Sequence, residues 1–374
     1  MACRLPARLI LLVGSFALIW CVFVGPSLHS GGFHHSINTP LPRLDLLKTT
    51  SDGGQKHAEY YASSAVREYC AAHGYSVFAP RRASGERKVY DLVMVNSELD
   101  LLEIRLDTLY DYVDYFIIVE SPKTFQGREK KALVVKDNWA RFGRYHDKMI
   151  YHELTFPASF HPQRAWDYED LQRDAMLEQV MVRLEGQRAP SQGDAIVVAD
   201  VDEIPRPQAL LVLRSCNYPR RLTLASRFYY YSFQFLHAGP EWQHPQATYF
   251  EGSRTLKPTN LRNGDGGLAL FRGREKGVLS NAGWHCSSCF STIEQFLNKI
   301  SSFSHGWMNA EQYRDRHRIA AAVREGRDLW ERQGESFIRL DDNKDMPPLV
   351  LENPSRFGYM TSRDGPSAGF ADYP

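Results

Sequence analysis

The sequence has almost no excess of either charge. Its 45 Lys and Arg stand against 44 Asp and Glu, a net of +1 over 374 residues. Nucleic-acid-binding surfaces usually carry a basic excess, so composition gives no support for that class of partner. The N-glycosylation sequon is missing too: no Asn-x-Ser/Thr with a permitted middle residue occurs, and no N-glycan is expected on the chain itself. Two nucleotide signatures are absent. No G-x-G-x-x-G follows the first apolar strand, where "VNSELD" stands, so the dinucleotide fingerprint is lost; no G-x-x-x-x-G-K-[ST] occurs either, which argues against a P-loop NTPase. There is no internal repeat. Cysteines number six. With Cys3 and Cys21 near the start, Cys70, Cys216, Cys286 and Cys289 are left in the body, enough for two disulfides of unreadable connectivity.

Aromatic residues, in contrast, are plentiful at 20 Phe, 19 Tyr and 7 Trp, which suits a large core or ring-stacking against sugars. Near the N-terminus, Arg4 and Arg8 precede an uncharged run from Leu9 to Gly25. That run lies at the low end of what spans a ~30 Å hydrocarbon core. Arginines before it and none just after predict a cytoplasmic N-terminus with the body on the far side of the membrane. A cleaved signal peptide is the alternative, but no small-x-small site closes the run cleanly. The expected order is a tail over 1–8, a signal anchor over 9–25, a flexible stem over 26–56, the main folded domain over 57–345 and an irregular tail over 346–374.

"VYDLVMV" (89–95) reads as a short apolar strand and "YFIIVE" (115–120) as a second. Between them Ser97 is expected to open a helix with Asp100 as capping-box partner, and Leu99, Leu102, Leu106 and Leu109 mark one face of it. Strand, helix, strand with tight joints predicts a parallel βαβ unit. A longer helix is expected from about Gln163 to Leu184, with Glu169 placed for an ion pair with Arg173. "RLTLASRFYYYSFQF" (221–235) is β-rich, and helical patterns return over 291–300 and 310–327. The fold class is therefore α/β.

"IVVADVDEIP" (196–205) runs from an apolar strand straight into Asp200, Asp202 and Glu203. In open α/β sheets ligands bind beyond the carboxyl ends of the strands. While the backbone stays extended, Asp200 and Asp202 point the same way. Two convergent carboxylates left unpaired carry like-charge and desolvation costs that a hard divalent cation relieves. Mg²⁺ or Mn²⁺ uses one or two carboxylates plus the phosphate oxygens of a substrate, so the acids point to a metal that holds a diphosphate. The rival reading has the acids capping a helix, since Pro205 and Pro207 suit a first turn. "AGWHCSSCF" (282–290) is the second constellation. Its C-x-x-C lacks the second pair a zinc site needs, which favours disulfide bonding, and His285 is a candidate third metal ligand. Asn96, after the first strand, and Arg173 and Asp174, on the long helix, join Asp200 as candidates for binding the diphosphate-bearing cofactor or substrate.

Taken in order, "VYDLVMVNSELDLLEIRLDTLYDYVDYFIIVESPKTFQG", "RDAML", "GDAIVVADVDEIP", "YYYSFQF" and "GWHCSSCF" resemble glycosyltransferase family 17 over roughly residues 60 to 310. The local sequence looks closer to fungal or microbial members than to animal ones. The resemblance implies a GT-A-like nucleotide-diphospho-sugar transferase fold with a mostly parallel central sheet. It also implies inverting transfer of GlcNAc from UDP-GlcNAc to a β-linked mannose of an N-glycan, with dependence on Mn²⁺ (or Mg²⁺). Asp200 and Asp202 match its D-x-D. Tail, anchor and stem then agree with a single-pass type II Golgi membrane enzyme whose partners are a UDP-sugar and a glycan or glycoprotein, with no nucleic acid. Inversion needs a general base, for which Glu203, Glu120 and Glu241 are the candidates beside the metal-binding Asp202. Two other classes fit parts of the pattern. A metal-dependent phosphohydrolase would need further His/Asp ligands. A non-catalytic lectin-like module would use the aromatic stretch from Phe228 to Phe235.

Overall fold

Strand β1 (Val89–Val95) is buried at every position, as a strand covered on both faces must be. It lies parallel to β2 (Tyr115–Glu120), with Tyr90 opposite Tyr115 and Val95 opposite Glu120, and helix α1 (Leu99–Leu109) makes the crossover. The expected βαβ unit is thus present. The computed structural model describes residues 34–36, 59–79, 87–267, 272–304 and 306–374. The expected anchor over 9–25 lies outside the described residues. Among the described residues no helix is long and apolar enough to cross a membrane. Of the expected stem only His34–Ser36 is described, as a strand parallel to the long strand at Lys276–Ser287.

β3 (Met149–Glu153) extends the parallel block beyond β2, and β4 (Ala195–Asp200) joins it on the other side of β1. β5 (Arg221–Tyr230), β6 (Gln246–Tyr249) and β7 (Lys276–Ser287) continue the sheet, whose central path runs β7, β5, β6, β4, β1, β2, β3. β6 runs antiparallel to both β4 and β5, while β7 runs parallel to β5. The class is α/β, with four parallel strands on one side and a mixed region on the other. One face packs on α1 and α3 (Pro207–Ser215) through Leu102, Leu106, Leu210 and Leu213. The other face packs on the helical stretch around Met176, Leu177 and Met181.

That stretch starts as α2 (Ala165–Ala175) and continues as a wide turn over Met176–Val180 and a tight one over Met181–Arg183, close to the expected bounds. The Glu169–Arg173 ion pair forms at 2.7 Å. The cap of α1 differs from expectation. Glu98 is the N-cap residue, and its carboxylate accepts the N–H of Ser97 at 2.8 Å. Asp100 is engaged instead by Arg141 and by the Tyr359 hydroxyl at 2.8 Å, so it has no oxygen to turn back on the helix start.

Residues 346–374 are also a correction. Rather than an irregular tail, they form helices at Pro348–Glu352 and Pro354–Thr361, with Val350, Phe357 and Met360 fully buried. Short apolar residues spaced over two brief helices give too weak a periodicity to read. Buried Arg363 then ties the end of the chain down, donating to the carbonyls of Tyr231 (2.7 Å) and Phe290 (2.8 Å). Cys70 bonds Cys216, and Cys286 bonds Cys289.

Candidate active site

β4 ends at Asp200, and the chain turns at once into a short strand, Glu203–Pro205, that pairs antiparallel with β7. Glu203 stands opposite His285, and the Cys286 N–H donates to the Asp202 carbonyl at 3.1 Å. The two constellations that stood 80-odd residues apart in sequence therefore meet backbone to backbone. Gly283 allows the meeting: a Cβ there would lie 2.5 Å from Ser226 Oγ and 2.8 Å from the Ile204 carbonyl oxygen. From beneath, Arg105 on the apolar face of α1 donates to both Asp91 oxygens (2.7 and 2.6 Å) and to the Glu203 carbonyl (2.6 Å). A fully buried ion pair thus supports the turn that carries the acids.

The turn separates the carboxylates that an extended chain would align. Asp200 takes Arg173 at 2.8 Å and Arg262 at 2.7 Å, one on each oxygen. Glu203 takes Arg262 on both oxygens, Trp242 Nε1 at 2.7 Å and the Asp200 N–H at 3.0 Å. Asp202 faces Lys299 Nζ at 3.0 Å and His285 Nε2 at 3.7 Å. Burial alone would raise the Asp202 carboxyl, but Lys299 and His285 outweigh it and hold the pKa well below the usual carboxylate range. The same contest, with Arg262 as the main opponent of burial, depresses Glu203. Lys299 answers in kind: Asp202 and Glu98 overcome its burial and keep it charged. Three cations from three distant helices thus meet acids whose sequence surroundings offered none.

A cavity of about 440 Å³ opens here, beyond the carboxyl ends of β1 and β4. Asp202, His285, Lys299, Asn96, Glu98 and Glu335 line it together with Phe228, Tyr230, Trp242 and Trp330. The Phe228 ring stacks on His285 at 4.9 Å and lies 5.7 Å from Trp242.

Several expected site residues are placed elsewhere. Glu120 is fully buried at the end of β2, where it accepts the Val135 N–H (3.2 Å) and the Tyr151 hydroxyl (3.0 Å). It serves the start of the helix at Val134–Asp137 and does not line the cavity. Glu241 is likewise off the cavity, accepting the Asn281 N–H at 2.8 Å. Asp174 accepts the Thr259 N–H at 2.8 Å in the first turn of α4 (Pro258–Arg262), so it orients the helix that delivers Arg262. Arg173 is buried between Glu169 and Asp200 and supports the site from behind. Glu203, fixed by Arg262 and Trp242, lacks the freedom a base needs. Asn96 does line the cavity, its side chain bonded to Ser302 Oγ at 2.8 Å. Sequence reasoning missed Arg105, Arg262, Lys299 and Glu335. An Arg between the leucines of α1 and an Asp inside β1 were the one visible signal, for the buried pair.

Both Asp200 oxygens are engaged by guanidinium groups, whereas Asp202 meets only Lys299 and His285, which makes Asp202 the better placed of the two for a cation. Among the described residues no three of His, Cys, Asp and Glu gather in a metal-binding group. Asp202 and His285 remain as a pair. Two donors fit a Mg²⁺ or Mn²⁺ ion that a substrate's diphosphate also holds, and do not fit a cage made by protein alone. His285 Nδ1 is buried without a hydrogen-bond partner, so no second contact fixes its tautomer.

An α/β chain with a charged and aromatic cavity beyond its parallel strands has the outline of a sugar-handling protein. The chain belongs to glycosyltransferase family 17, whose sequence pattern matches residues 44–354. It is similar to the β-1,4-mannosyl-glycoprotein 4-β-N-acetylglucosaminyltransferase of Homo sapiens, 26% identical over 309 residues, covering 73% of this chain and 55% of that protein. The Mus musculus protein of the same name is 27% identical over 309 residues, covering 73% and 54%. The chain thus spans about half the length of the curated relatives it matches. Among solved structures it is similar to the mannosyltransferase PcManGT from Pyrobaculum calidifontis in complex with GDP-Man and Mn²⁺. There the TM-score is 0.32 at 12% identity, with 81% of this chain and 79% of that one covered.

Proposed function

We propose that the chain is an inverting glycosyltransferase of GT-A-like fold that moves GlcNAc from UDP-GlcNAc to a β-linked mannose of an N-glycan. The observation that carries this reading is a cavity lined by both charged groups and aromatic rings. Asp202 and His285 would hold a divalent cation on the donor diphosphate, with Lys299 beside them. Such an ion neutralises charge on the departing nucleotide. Trp242, Phe228 and Trp330 would supply aromatic surface for a sugar. The proposed setting is the Golgi membrane, with the N-terminal run as anchor and the body lumenal. Incubation with a panel of UDP-sugars and Mn²⁺ tests the reading. UDP release that rises on adding glycan acceptor supports transfer; release indifferent to acceptor indicates hydrolysis, and glycan binding with no turnover indicates a lectin.

His285→Ala should raise the Mn²⁺ concentration for half activity about 10-fold, the scale of losing ~1.4 kcal/mol of binding. The ring also stacks on Phe228, so thermal melting must accompany the titration. A folded variant with unchanged metal dependence would make His285 a packing residue.

A further inference from the structure

Resting on the proposed transfer reaction, we infer that Glu335 is its general base, working with His237. Six carboxylate residues line the cavity: Glu98, Glu169, Asp200, Asp202, Glu203 and Glu335. Five are committed elsewhere. Glu98 accepts backbone N–H groups, and Glu169 accepts Arg173 and Ser304. Asp200 and Glu203 are held by arginines, and Asp202 by Lys299. Among the described residues Glu335 alone of the six accepts no hydrogen bond from a cation or a backbone N–H. Its Oε2 lies 3.2 Å from His237 Nε2, without a well-directed hydrogen bond between them. A base needs a carboxylate that no cation and no backbone N–H already holds by a hydrogen bond, and Glu335 meets that condition.

The surroundings suit an acceptor sugar. Glu335 lines the cavity with Trp330, Tyr230, Phe228 and Trp242, and its partner His237 packs on the Phe228 ring at 5.1 Å. The other charged group facing it is Arg332, whose guanidinium is already engaged by both oxygens of Asp328. His237 Nδ1 lies 3.4 Å from the Pro240 carbonyl, which favours the tautomer carrying its proton there. Nε2 is then free to receive one. In the transfer step the acceptor oxygen forms its bond to the anomeric carbon. The bond from that carbon to the diphosphate oxygen breaks, and its electron pair leaves with UDP. The hydroxyl proton passes to the Glu335 carboxylate and on to His237 Nε2.

The experiment compares wild type, Glu335→Gln and Glu335→Ala in the full chain, using UDP-GlcNAc, Mn²⁺ and a glycopeptide bearing a β-linked mannose. Glu335→Gln should transfer about 100-fold more slowly, since a positioned base contributes at least that much. Its calorimetric affinity for UDP-GlcNAc should stay within two-fold of wild type. Azide needs no deprotonation, so it should restore UDP release by Glu335→Ala and yield the glycosyl azide. A merely structural residue would give no such rescue. The role is overturned if Glu335→Gln transfers within three-fold of wild type, if donor affinity falls along with transfer, or if azide does not accelerate Glu335→Ala. Wild-type protein that transfers nothing from any UDP-sugar overturns the proposed reaction itself, and this role with it.

Discussion

Asp202→Asn is expected to slow transfer about 1000-fold while the chain keeps its fold. Asp202 holds its charge throughout the working pH range, because Lys299 and His285 outweigh its burial. An amide keeps the shape but removes the charge and the anionic oxygen that a donor-bound cation would use. In the proposed reaction the loss falls where charge would develop on the departing diphosphate, and 1000-fold corresponds to about 4 kcal/mol of barrier. Two contacts argue that the fold survives. The Asp202 carbonyl still accepts the Cys286 N–H, and Lys299 keeps Glu98 at 3.8 Å as a second anionic partner. UDP release under saturating donor and thermal melting are the two readouts. A variant with more than a tenth of wild-type activity, or wild-type activity that survives EDTA, would refute the role given to Asp202.

Reading the sequence worked where one local signal dominates. β1, α1 and β2 each carry their periodicity within a dozen residues, and the parallel joint follows from tight spacing. "DVDEIP" and "GWHCSSCF" were legible as chemistry because acids after an apolar strand and a His beside paired cysteines are unusual. What could not be read is how those motifs are completed. The idea of unpaired carboxylates failed because Arg173, Arg262 and Lys299 lie on three other helices, each a single cation among ordinary surface-like residues. The same limit misplaced the base candidates. Glu120 and Glu241 look like Glu335 in one dimension, and only tertiary packing shows that backbone N–H groups occupy the first two. Corrections concentrate in polar residues for this reason: apolar burial follows a short period, whereas a charge is paired by whichever segment arrives.

Asp345→Ala should lower stability by about 3 kcal/mol at neutral pH, although the residue stands where the sequence suggested that the domain ends. One Asp345 oxygen faces Arg206 (2.7 Å) and Trp284 Nε1 (2.9 Å). The other takes Arg206 (2.9 Å), Arg227 (2.8 Å) and the Tyr229 hydroxyl (3.0 Å). Arg206 follows "DVDEIP" and Trp284 precedes His285, so this carboxylate clasps the far side of the pair of segments that builds the site. Burial raises its pKa, but Arg206, Trp284 and Tyr229 outweigh that and set it at about 2, below the ordinary 3.8. A depressed folded-state pKa means stability that is present above the unfolded value and lost as pH falls through the folded one. About 2 kcal/mol of the wild-type advantage should therefore be intact at pH 7, about half of it gone by pH 3, and little left below pH 2. The rest, from unpaired Tyr229 and Trp284 donors, should not titrate. Urea unfolding of both proteins at pH 7, 4 and 3 measures the gap. A gap that stays constant down to pH 3 would show that the clasp acts through packing and not through charge.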